Sequence, residues 1–376
     1  MIDSVYLDHN ATTPMRPQAI AAMAEVMHAV GNASSVHTFG RAMRARVDRA
    51  RATVATLVGA KAADIVFTGG GTEANNTVLQ GAGRRRVVIS AIEHDSVRLA
   101  TDGAVVVPVT ADGVIDLDAL SHLLAASSEP GLVSVMLANN ETGVIQPVAD
   151  VVRIARTAGA LVHCDAVQAA GKIAIDMTAL GVDYLTLSAH KLGGPQGVGA
   201  VVLRPGVPFT AGQRGGGQER GRRAGTENTA GIAGFGAAAT VAAEALSSSA
   251  ALAVLRDKME HDLAQVAPDA QIFGGGTSRL PNTSCVAMPG VAATTQLMAL
   301  DLAGVAVSAG SACSSGKVKP SHVLAAMGAT ESEAASALRI SLGWTTTADH
   351  VGRFVGAWSD LYRRLSPASR PATAAA

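Results

Sequence analysis

The sequence has few cysteines, few aromatic residues and no excess charge of either sign. Its 376 residues include three cysteines, Cys164, Cys285 and Cys313, an odd number without a CxxC pair. Such a set supports neither a disulfide framework nor a zinc site. Basic and acidic residues number 30 each, so the net charge gives no attraction to nucleic acid or to an acidic membrane. With 48% hydrophobic and 16% charged residues, the composition is that of a globular protein.

The sequence also lacks a recognisable targeting segment. Its N-terminus, MIDSVYLDHN, has no basic stretch followed by an apolar one, so it does not resemble a signal peptide. The most apolar segment, 231–246, is mostly alanine and glycine and carries Glu244. We expect this segment to be too short and too weakly hydrophobic to span a bilayer. The expected location is therefore the cytoplasm.

Helical and strand patterns alternate through the first two-thirds of the chain. Apolar positions at helical spacing predict helices over 17–30 and 39–58, the second with one apolar stripe from Phe39 to Leu57. Short β-branched runs predict seven strands, at 65–68, 87–90, 105–109, 132–137, 161–164, 184–187 and 200–203. Most of these runs are continuously apolar, as in strands buried on both faces. The pattern predicts an α/β fold with a mixed, mostly parallel sheet between helices.

The helical pattern changes at three consecutive serines, 247–249, which interrupt an alanine-rich stretch. Beyond them come another helix, a glycine-rich turn and shorter strands. We place a domain change at this point. The prediction is a large domain over 15–246 and a smaller α+β domain formed by 1–14 and 247–376.

A run of three glycines follows the first predicted buried strand and leads to Thr72, where a helix begins. Glycines allow a ligand to approach the backbone, and a helix start offers unpaired N–H groups to an anion such as a phosphate. Neither the P-loop nor the dinucleotide fingerprint follows this strand. A simple tight turn explains the stretch equally well.

Two later stretches also place polar side chains at strand ends. Asp165 follows one strand, with Gln168 three residues further on. A buried carboxylate there needs a cationic partner such as a protonated pyridine nitrogen, unless it merely caps a turn. Another strand delivers Ser188, His190 and Lys191 to a glycine-rich turn. A lysine in that position can be desolvated and act as a Schiff-base amine, although a surface lysine is the default interpretation of the residue alone.

In this order, the three stretches resemble the pyridoxal-phosphate-binding motifs of the class V aminotransferase superfamily, and more specifically those of cysteine desulfurases of the NifS/IscS type. Five further segments match the same pattern: YLDHNATTP at 6–14, GNASSVH at 31–37, NNETG at 139–143, GGGQERGRRAGT at 215–226 and RISLG at 339–343. The similarity extends from about Val5 to Thr346. It implies a fold-type-I enzyme, a homodimer, and pyridoxal 5'-phosphate (PLP) as the cofactor.

The resemblance implies a role for each matching cofactor residue. Lys191 would bind PLP covalently, Asp165 would pair with the pyridine nitrogen, and Gln168 would hydrogen-bond the ring oxygen. His94 would stack on the ring and assist acid–base chemistry, and Asn140 would contact the cofactor. The residues implied to hold the phosphate are Gly71, Thr72, Ser188, His190 and, from the other subunit, Thr226.

The resemblance further implies conversion of L-cysteine to L-alanine. Arg339 and Asn140 would hold the substrate carboxylate. Cys313 lies in SAGSACSSG at 308–316, a run of small residues that predicts a mobile loop. Its thiolate would take the substrate sulfur as a persulfide and pass it to an acceptor protein, such as an iron–sulfur scaffold or a thiolation relay. No metal site is expected, although Cys313 could ligate an iron–sulfur cluster transiently; Cys285 and Cys164 are expected to be buried packing residues.

Several alternatives remain open from the sequence. One is a selenocysteine lyase or another superfamily enzyme such as an aminotransferase. Cys313 argues against a transaminase, which needs no thiol, but does not exclude selenocysteine. Another is a catalytically silent scaffold or regulatory subunit, against which the joint presence of the matching catalytic residues argues. A third is a dedicated sulfur donor for DNA or tRNA modification, which differs in acceptor and not in chemistry. Because the C-terminus ends early relative to the family pattern, the docking partner stays undetermined; direct contact with nucleic acid or membrane is not expected.

Overall fold

The computed structural model describes residues 4–310 and 321–365. Its strands are β1 Val5–Tyr6, β2 Ile65–Thr68, β3 Val87–Ser90, β4 Val105–Val107, β5 Leu132–Met136, β6 Leu161–Asp165, β7 Tyr184–Ser188, β8 Gly199–Leu203, β9 Gln271–Ile272, β10 Thr283–Ala287, β11 Val305–Ala306, β12 Ser308–Ala309 and β13 Ala337–Ser341. Its α-helices are α1 Pro17–Met27, α2 Thr38–Leu57, α3 Gly71–Gly81, α4 Asp95–Arg98, α5 Leu117–Ala125, α6 Val148–Thr157, α7 Met177–Leu180, α8 Thr229–Ala245, α9 Ser249–Val266, α10 Ala293–Leu302, α11 His322–Ala326, α12 Glu331–Ser336 and α13 Ala348–Leu365.

The central sheet has the strand order β2-β8-β7-β6-β5-β3-β4. Strands β7, β6, β5, β3 and β4 pair in parallel, whereas β8 is antiparallel to both of its neighbours. Their buried, β-branched sequences explain why both faces carry helices. The predicted α/β fold with a mixed, mostly parallel sheet is confirmed. The carboxyl ends of the parallel strands lie at one edge, where such sheets usually bind ligands.

Two of the predicted elements differ in detail. The strand predicted over 105–109 ends at Val107, because Pro108 has no N–H to donate to the ladder. In α2 the apolar stripe is buried from Met43 onward, but Phe39 is 61% exposed, so its inclusion in the stripe was wrong. Phe39 lies in the first turn of the helix, where its ring makes an edge contact with the ring of His37.

A second, smaller set of elements surrounds another hydrophobic core. Strands β12, β13, β10 and β9 form an antiparallel sheet in that order, and β1 pairs in parallel with β11. Val5 and Leu7 from the N-terminus are buried in the same cluster as Phe354 and Trp358 of α13. The N-terminal strand thus packs with the C-terminal third of the chain. The exact division at residue 246 stays a prediction, and the helical path continues across it.

The serines at 247–249 do not end the helical path. A short 3-10 turn at Leu246–Ser248 joins α8 to α9, giving a helical stretch of 38 residues, Thr229–Val266. This stretch is long and apolar enough to cross a membrane by length and composition alone, so the expectation that the segment is too short was wrong. Its glycines serve close packing: a Cβ on Gly236 would lie 2.6 Å from Ala50 Cα, and one on Gly234 would lie 2.7 Å from Met23 Cγ. Helix α8 therefore belongs to the core of the large domain, against α1 and α2.

Candidate active site

A cavity of about 400 Å³ lies at the carboxyl ends of β5, β6 and β7, against the start of α3. It brings together ten of the predicted site residues: Gly71, Thr72, His94, Asn140, Asp165, Gln168, Ser188, His190, Lys191 and Arg339. Asn10, Asn75, Glu141 and His322 also line it, and sequence reasoning assigned them no role. The fold thus gathers, in one place, side chains that are up to 329 residues apart in the chain (Asn10 to Arg339).

Lys191 ends the 3-10 turn that follows β7. Its Nζ donates to the carbonyl oxygens of Asn10, at 2.6 Å, and Ala11, at 2.7 Å. Burial, reinforced by the nearby Arg339 guanidinium, lowers the pKa of Lys191 from 10.5 to about 8, although Asp8 and Asp165 oppose the shift. An amine with this pKa is partly neutral near physiological pH and can attack an aldehyde carbon.

Asp165 closes β6 and is 6% exposed. Its Oδ2 accepts from Asn75 Nδ2 at 2.7 Å, and its Oδ1 accepts from the Val167 N–H at 2.9 Å. Both donors are neutral, and within the described residues no cationic side chain forms an ion pair with this carboxylate. A nearly buried carboxylate without a counter-ion is costly, so Asp165 is prepared for a cationic ligand atom.

His163 lies beneath Asp165 on the same strand. Its Nδ1 is 2.8 Å from Ser134 Oγ and its Nε2 is 3.2 Å from Thr186 Oγ1. Burial lowers the pKa of His163 to about 4, and Asp165 only partly offsets this. The ring therefore stays neutral at physiological pH and supplies no compensating charge to Asp165.

The start of α3 provides the predicted anion cradle. Gly70 precedes the helix at φ +149° with no side-chain cap, so the first N–H groups of α3 have no capping partner. A Cβ on Gly71 would lie 3.0 Å from Val167 Cγ2 and 3.3 Å from Ser188 Cβ, which explains the need for glycine at this position. His190 lies on the same side, and burial together with Lys191 lowers its pKa to about 4. These neutral donors suit a phosphate group.

His94 is the N-cap of α4 and faces the cavity. Its Nδ1 accepts from the Ser96 N–H at 3.1 Å, so the proton of the neutral ring resides on Nε2. The preceding residue, Glu93, is fully buried; its Oε1 accepts from the Met136 N–H at 2.7 Å. Burial and the negative charge of Asp165 hold the pKa of Glu93 well above its usual range. Burial thus disfavours a second negative charge at Glu93, next to Asp165.

Arg339 projects from β13 and is 6% exposed. Its Nη2 donates to Asp8 Oδ1 at 2.8 Å, and its Nη1 donates to the Asn140 carbonyl oxygen at 3.2 Å. The Nε of Arg339 is buried without a partner among the described residues. Asp8, from the opening motif, therefore orients a guanidinium that retains donor capacity toward the cavity.

Gln168 belongs to a network that the sequence did not predict. Its Nε2 donates to the Asn10 carbonyl oxygen at 3.0 Å, and its Oε1 accepts from Lys172 Nζ at 2.8 Å. Lys172 Nζ also donates to Asn10 Oδ1 at 2.7 Å. Burial and the like charges of Lys191 and Arg339 lower the pKa of Lys172 well below its usual range. Asn10 therefore links two lysines and the amide of Gln168.

Two predicted residues are not brought into this cavity by the described part of the chain. Thr226 lines a separate cavity of about 130 Å³ with Gly69, Glu219 and Arg223. Cys313 lies outside the described residues. The neighbouring Gly310 and Ser321, which are described, both contact Glu141: Ser321 Oγ donates to Glu141 Oε2 at 2.6 Å, and Gly310 lies against the same carboxyl group.

The other cysteines are buried, free thiols, as expected from their apolar settings. Burial, together with Asp165 and Glu93, raises the pKa of Cys164 well above its ordinary value. Burial also raises the pKa of Cys285, with Glu141 adding to the shift. Neither thiol can supply a thiolate near neutral pH.

Comparison with known proteins defines the class. The sequence matches the class V aminotransferase family over residues 5–354, and the chain belongs to that family. It is 44% identical to a cysteine desulfurase from Cereibacter sphaeroides, over 97% of this chain and 98% of that relative. A NifS-like protein from Rickettsia africae superposes with a TM-score of 0.88 at 36% identity, covering 96% of this chain and 99% of that one. SspA in complex with cysteine superposes with a TM-score of 0.76 at 29% identity, covering 90% and 99%.

Within this family the chain is a cysteine desulfurase of the NifS/IscS type, an enzyme dependent on PLP. The predicted fold, family, activity and cofactor are confirmed. The cavity fits PLP on two independent observations: the Asp165 carboxylate has no cationic partner among the described residues, and the first residues of α3, which line the cavity, have no side-chain cap.

Proposed function

We propose that Lys191, Asp165 and Gln168 hold the cofactor of this desulfurase in the 400 Å³ cavity. Lys191 would provide the covalent attachment, Asp165 would face the pyridine nitrogen and Gln168 the ring oxygen. The observation that carries this assignment is that one cavity holds an amine whose pKa is lowered to about 8 and a carboxylate that has no counter-ion among the described residues. Residues proposed at the phosphate are Gly71, Thr72, Ser188, His190 and the partner subunit's Thr226.

Arg339 and Asn140 are proposed to bind the carboxylate of L-cysteine. Arg339 is held by Asp8 at 2.8 Å and still has a buried Nε without a partner. A substrate carboxylate in the cavity would accept from the guanidinium, whose planar shape suits that group. The resemblance to SspA, which was solved in complex with cysteine, supports the substrate.

PLP supplies an electron sink that stabilises negative charge at the substrate Cα. The residues of this chain would then move the protons. Lys191, once released from its covalent role, has a pKa lowered to about 8, and its neutral form would take the Cα proton. His94 lines the same cavity and would donate a proton from Nε2, because its Nδ1 accepts from the Ser96 N–H.

Cys313 is proposed as the acceptor of sulfur. Its thiolate would attack the sulfur of the substrate, forming an S–S bond as the Cβ–S bond breaks. The two electrons of the broken bond remain on carbon, which is protonated and leaves as part of L-alanine. The product on the protein is the Cys313 persulfide, so L-cysteine and one thiol give L-alanine and one persulfide. Cys164 and Cys285 support this assignment indirectly, because their buried thiols have raised pKa values.

A single-turnover assay tests this proposal. PLP-loaded protein would be mixed with an equimolar amount of L-cysteine in the absence of reductant, and L-alanine would be measured with persulfide at each cysteine by alkylation and mass spectrometry. The expected result is one alanine per subunit and persulfide on Cys313 alone. A parallel reaction with selenocysteine compares turnover of this alternative substrate with turnover of L-cysteine.

The matched controls are Cys313→Ser and Cys285→Ser. We expect Cys313→Ser to retain PLP absorbance and lose persulfide, and Cys285→Ser to retain both wherever it folds. If Cys313→Ser still formed protein-bound persulfide and alanine at the wild-type rate, Cys313 would not be the acceptor. If selenocysteine turned over and cysteine did not, the proposed substrate would be wrong.

We further propose that the enzyme is a homodimer in the cytoplasm. It would deliver sulfur to an acceptor protein such as an iron–sulfur scaffold or a thiolation relay. Support for the dimer comes from Thr226, which lies outside the active-site cavity of its own chain. Transfer of radiolabelled sulfur from the Cys313 persulfide to a candidate acceptor would identify the pathway.

A further inference from the structure

A second cavity, which we call the rear cleft, lies on the far side of Lys191. It has a volume of about 390 Å³ and is lined by the N-terminal segment, the turn between α8 and α9, and the segment after β13. Lys191 lines both this cleft and the active-site cavity, and among the residues that line either one it is the only residue that they share. The rear cleft is separate from the anion cradle at the start of α3.

The rear cleft has an unbalanced charge. Arg16, Lys172 and Lys191 line it, and none of its described lining residues is an aspartate or a glutamate. His9 also lines it, but burial lowers the pKa of His9 to about 4, so this ring is neutral near pH 7. Burial lowers the pKa values of Lys172 and Lys191, so Arg16 is the principal cation of the cleft, and a cation partly withdrawn from water without a negative partner is unfavourable.

Arg16 is the clearest unpaired cation of the rear cleft. Its guanidinium carbon lies 5.3 Å from the centre of the Trp344 ring, and its Nε donates to the Leu192 carbonyl oxygen at 3.3 Å. It forms no ion pair with an acidic side chain of residues 4–310 or 321–365. Its two terminal nitrogens therefore remain available to a ligand.

Lys172 likewise has neutral partners only, because Nζ donates to the amide oxygens of Gln168 and Asn10. The hydroxyl-bearing Ser249 lines the same cleft from the start of α9. Together these groups form a concave site with donors on two sides and no competing acceptor charge.

We propose that the rear cleft is a binding site for a small oxyanion, either inorganic phosphate or the carboxylate of a small organic acid, with Arg16 as its principal cation. A planar guanidinium matches both anions through two parallel hydrogen bonds. The ligand would lie against the Arg16 guanidinium, beside the Trp344 ring that this guanidinium already contacts. This inference does not depend on the roles proposed for Cys313 or for the cofactor residues.

Titration of the PLP-loaded enzyme tests the inference, because the bound cofactor occupies the phosphate cradle and leaves the rear cleft as the site of interest. Isothermal calorimetry would measure binding of phosphate and of acetate, with chloride at equal ionic strength as the control. Fluorescence would report proximity to Trp344, one of two tryptophans in the chain. We expect saturable binding with a fluorescence change that is absent in Trp344→Phe. The anion that binds more tightly, phosphate or acetate, shows whether the site prefers inorganic phosphate or a carboxylate.

Arg16→Gln is the decisive variant, and Arg44→Gln is its matched control, since Arg44 also donates through Nε to a backbone carbonyl but does not line the cleft. Loss of a charge-assisted contact should weaken binding about tenfold or more in Arg16→Gln and leave Arg44→Gln unchanged. Absence of saturable binding of both anions would overturn the proposal. Equal affinity in the wild type and in Arg16→Gln would also overturn it.

Discussion

At the scale of single residues, the active-site cavity works because its charges are incomplete. Among the described residues Asp165 has neutral hydrogen-bond donors and no cationic partner, while Lys191 donates to two carbonyl oxygens and is destabilised as an ammonium ion by burial and by Arg339. Both features carry a cost in the protein alone and become favourable when a ligand supplies the complementary groups. The positions of these residues at strand ends left simpler roles open, and the resemblance to the family implied their roles at the cofactor.

The lowered pKa of Lys191 predicts a pH dependence. With its pKa lowered from 10.5 to about 8, the amine of the cofactor-free protein is mostly protonated below pH 8 and mostly neutral above it. We therefore expect the rate of covalent PLP capture, followed by stopped-flow absorbance, to rise with pH around a midpoint near 8. Acylation of the exposed Lys61 provides the reference for an ordinary lysine. A midpoint near 10 for Lys191 would contradict the assigned environment.

The close approach at Gly71 predicts a specific loss of cofactor affinity. In Gly71→Ala the new methyl group would meet Val167 Cγ2 at 3.0 Å and Ser188 Cβ at 3.3 Å, so one wall of the cradle must move. We expect PLP affinity, measured by absorbance titration, to fall about tenfold or more, equivalent to ~1.4 kcal/mol. Gly352→Ala in α13 has open space around the new methyl group and should leave affinity unchanged. Equal affinities in both variants would remove Gly71 from the cradle.

At the scale of secondary-structure elements, the sequence predicted the central sheet well and the connections poorly. Continuous apolar runs placed β2 and β3 at their observed bounds because both faces of these strands are buried. The network of Asn10, Gln168 and Lys172 was missed, because it joins residues 158 and 162 positions apart and leaves no local pattern. The only sequence signal for Asn10 was the opening motif at 6–14. This motif matched the family, but the resemblance implied no role for Asn10.

The segment that carries Thr226 is fastened by a buried ion pair. Arg51 of α2 binds both carboxylate oxygens of Glu219, at 2.7 and 2.8 Å, and Glu219 also accepts from the Phe67 N–H at 3.0 Å. Glu219 adopts φ +46°, an unfavourable backbone conformation that these contacts offset.

Glu219→Gln should therefore be strongly destabilising, because it leaves the buried Arg51 guanidinium with only the exposed Asp48 carboxylate, at 3.8 Å, as a counter-charge. We expect a loss of about 3 kcal/mol in the free energy of unfolding, measured by urea denaturation. Asp150→Asn, which removes an exposed partner of Arg153, should change stability by less than about 0.5 kcal/mol. Similar small losses in both variants would show that the Arg51–Glu219 pair does not fasten this segment.

At the scale of the whole molecule, the account predicts that the active site is shared between subunits. Lys191→Ala lacks the covalent attachment, and Thr226→Ala lacks a phosphate contact that we assign to the partner subunit. In a mixed dimer of these two variants, one site combines the intact Lys191 of the Thr226→Ala chain with the intact Thr226 of the Lys191→Ala chain. Mixing the two inactive or weakened variants should therefore restore up to one wild-type site per dimer.

This complementation requires subunit exchange, which light scattering and tagged co-purification would verify. Restored activity in verified mixed dimers supports the shared site. If mixed dimers form and remain as inactive as their parents, Thr226 acts within its own chain or has no role.

The central claim, that Lys191 is the covalent attachment point for PLP, has a direct measurement. Borohydride reduction of the loaded enzyme makes the lysine–cofactor linkage permanent, and peptide mass spectrometry then identifies the modified residue. The account predicts stoichiometric modification of Lys191 and none of Lys172, the other lysine linked to Asn10. Modification of Lys172, or of no lysine in a protein that has bound PLP, would contradict it.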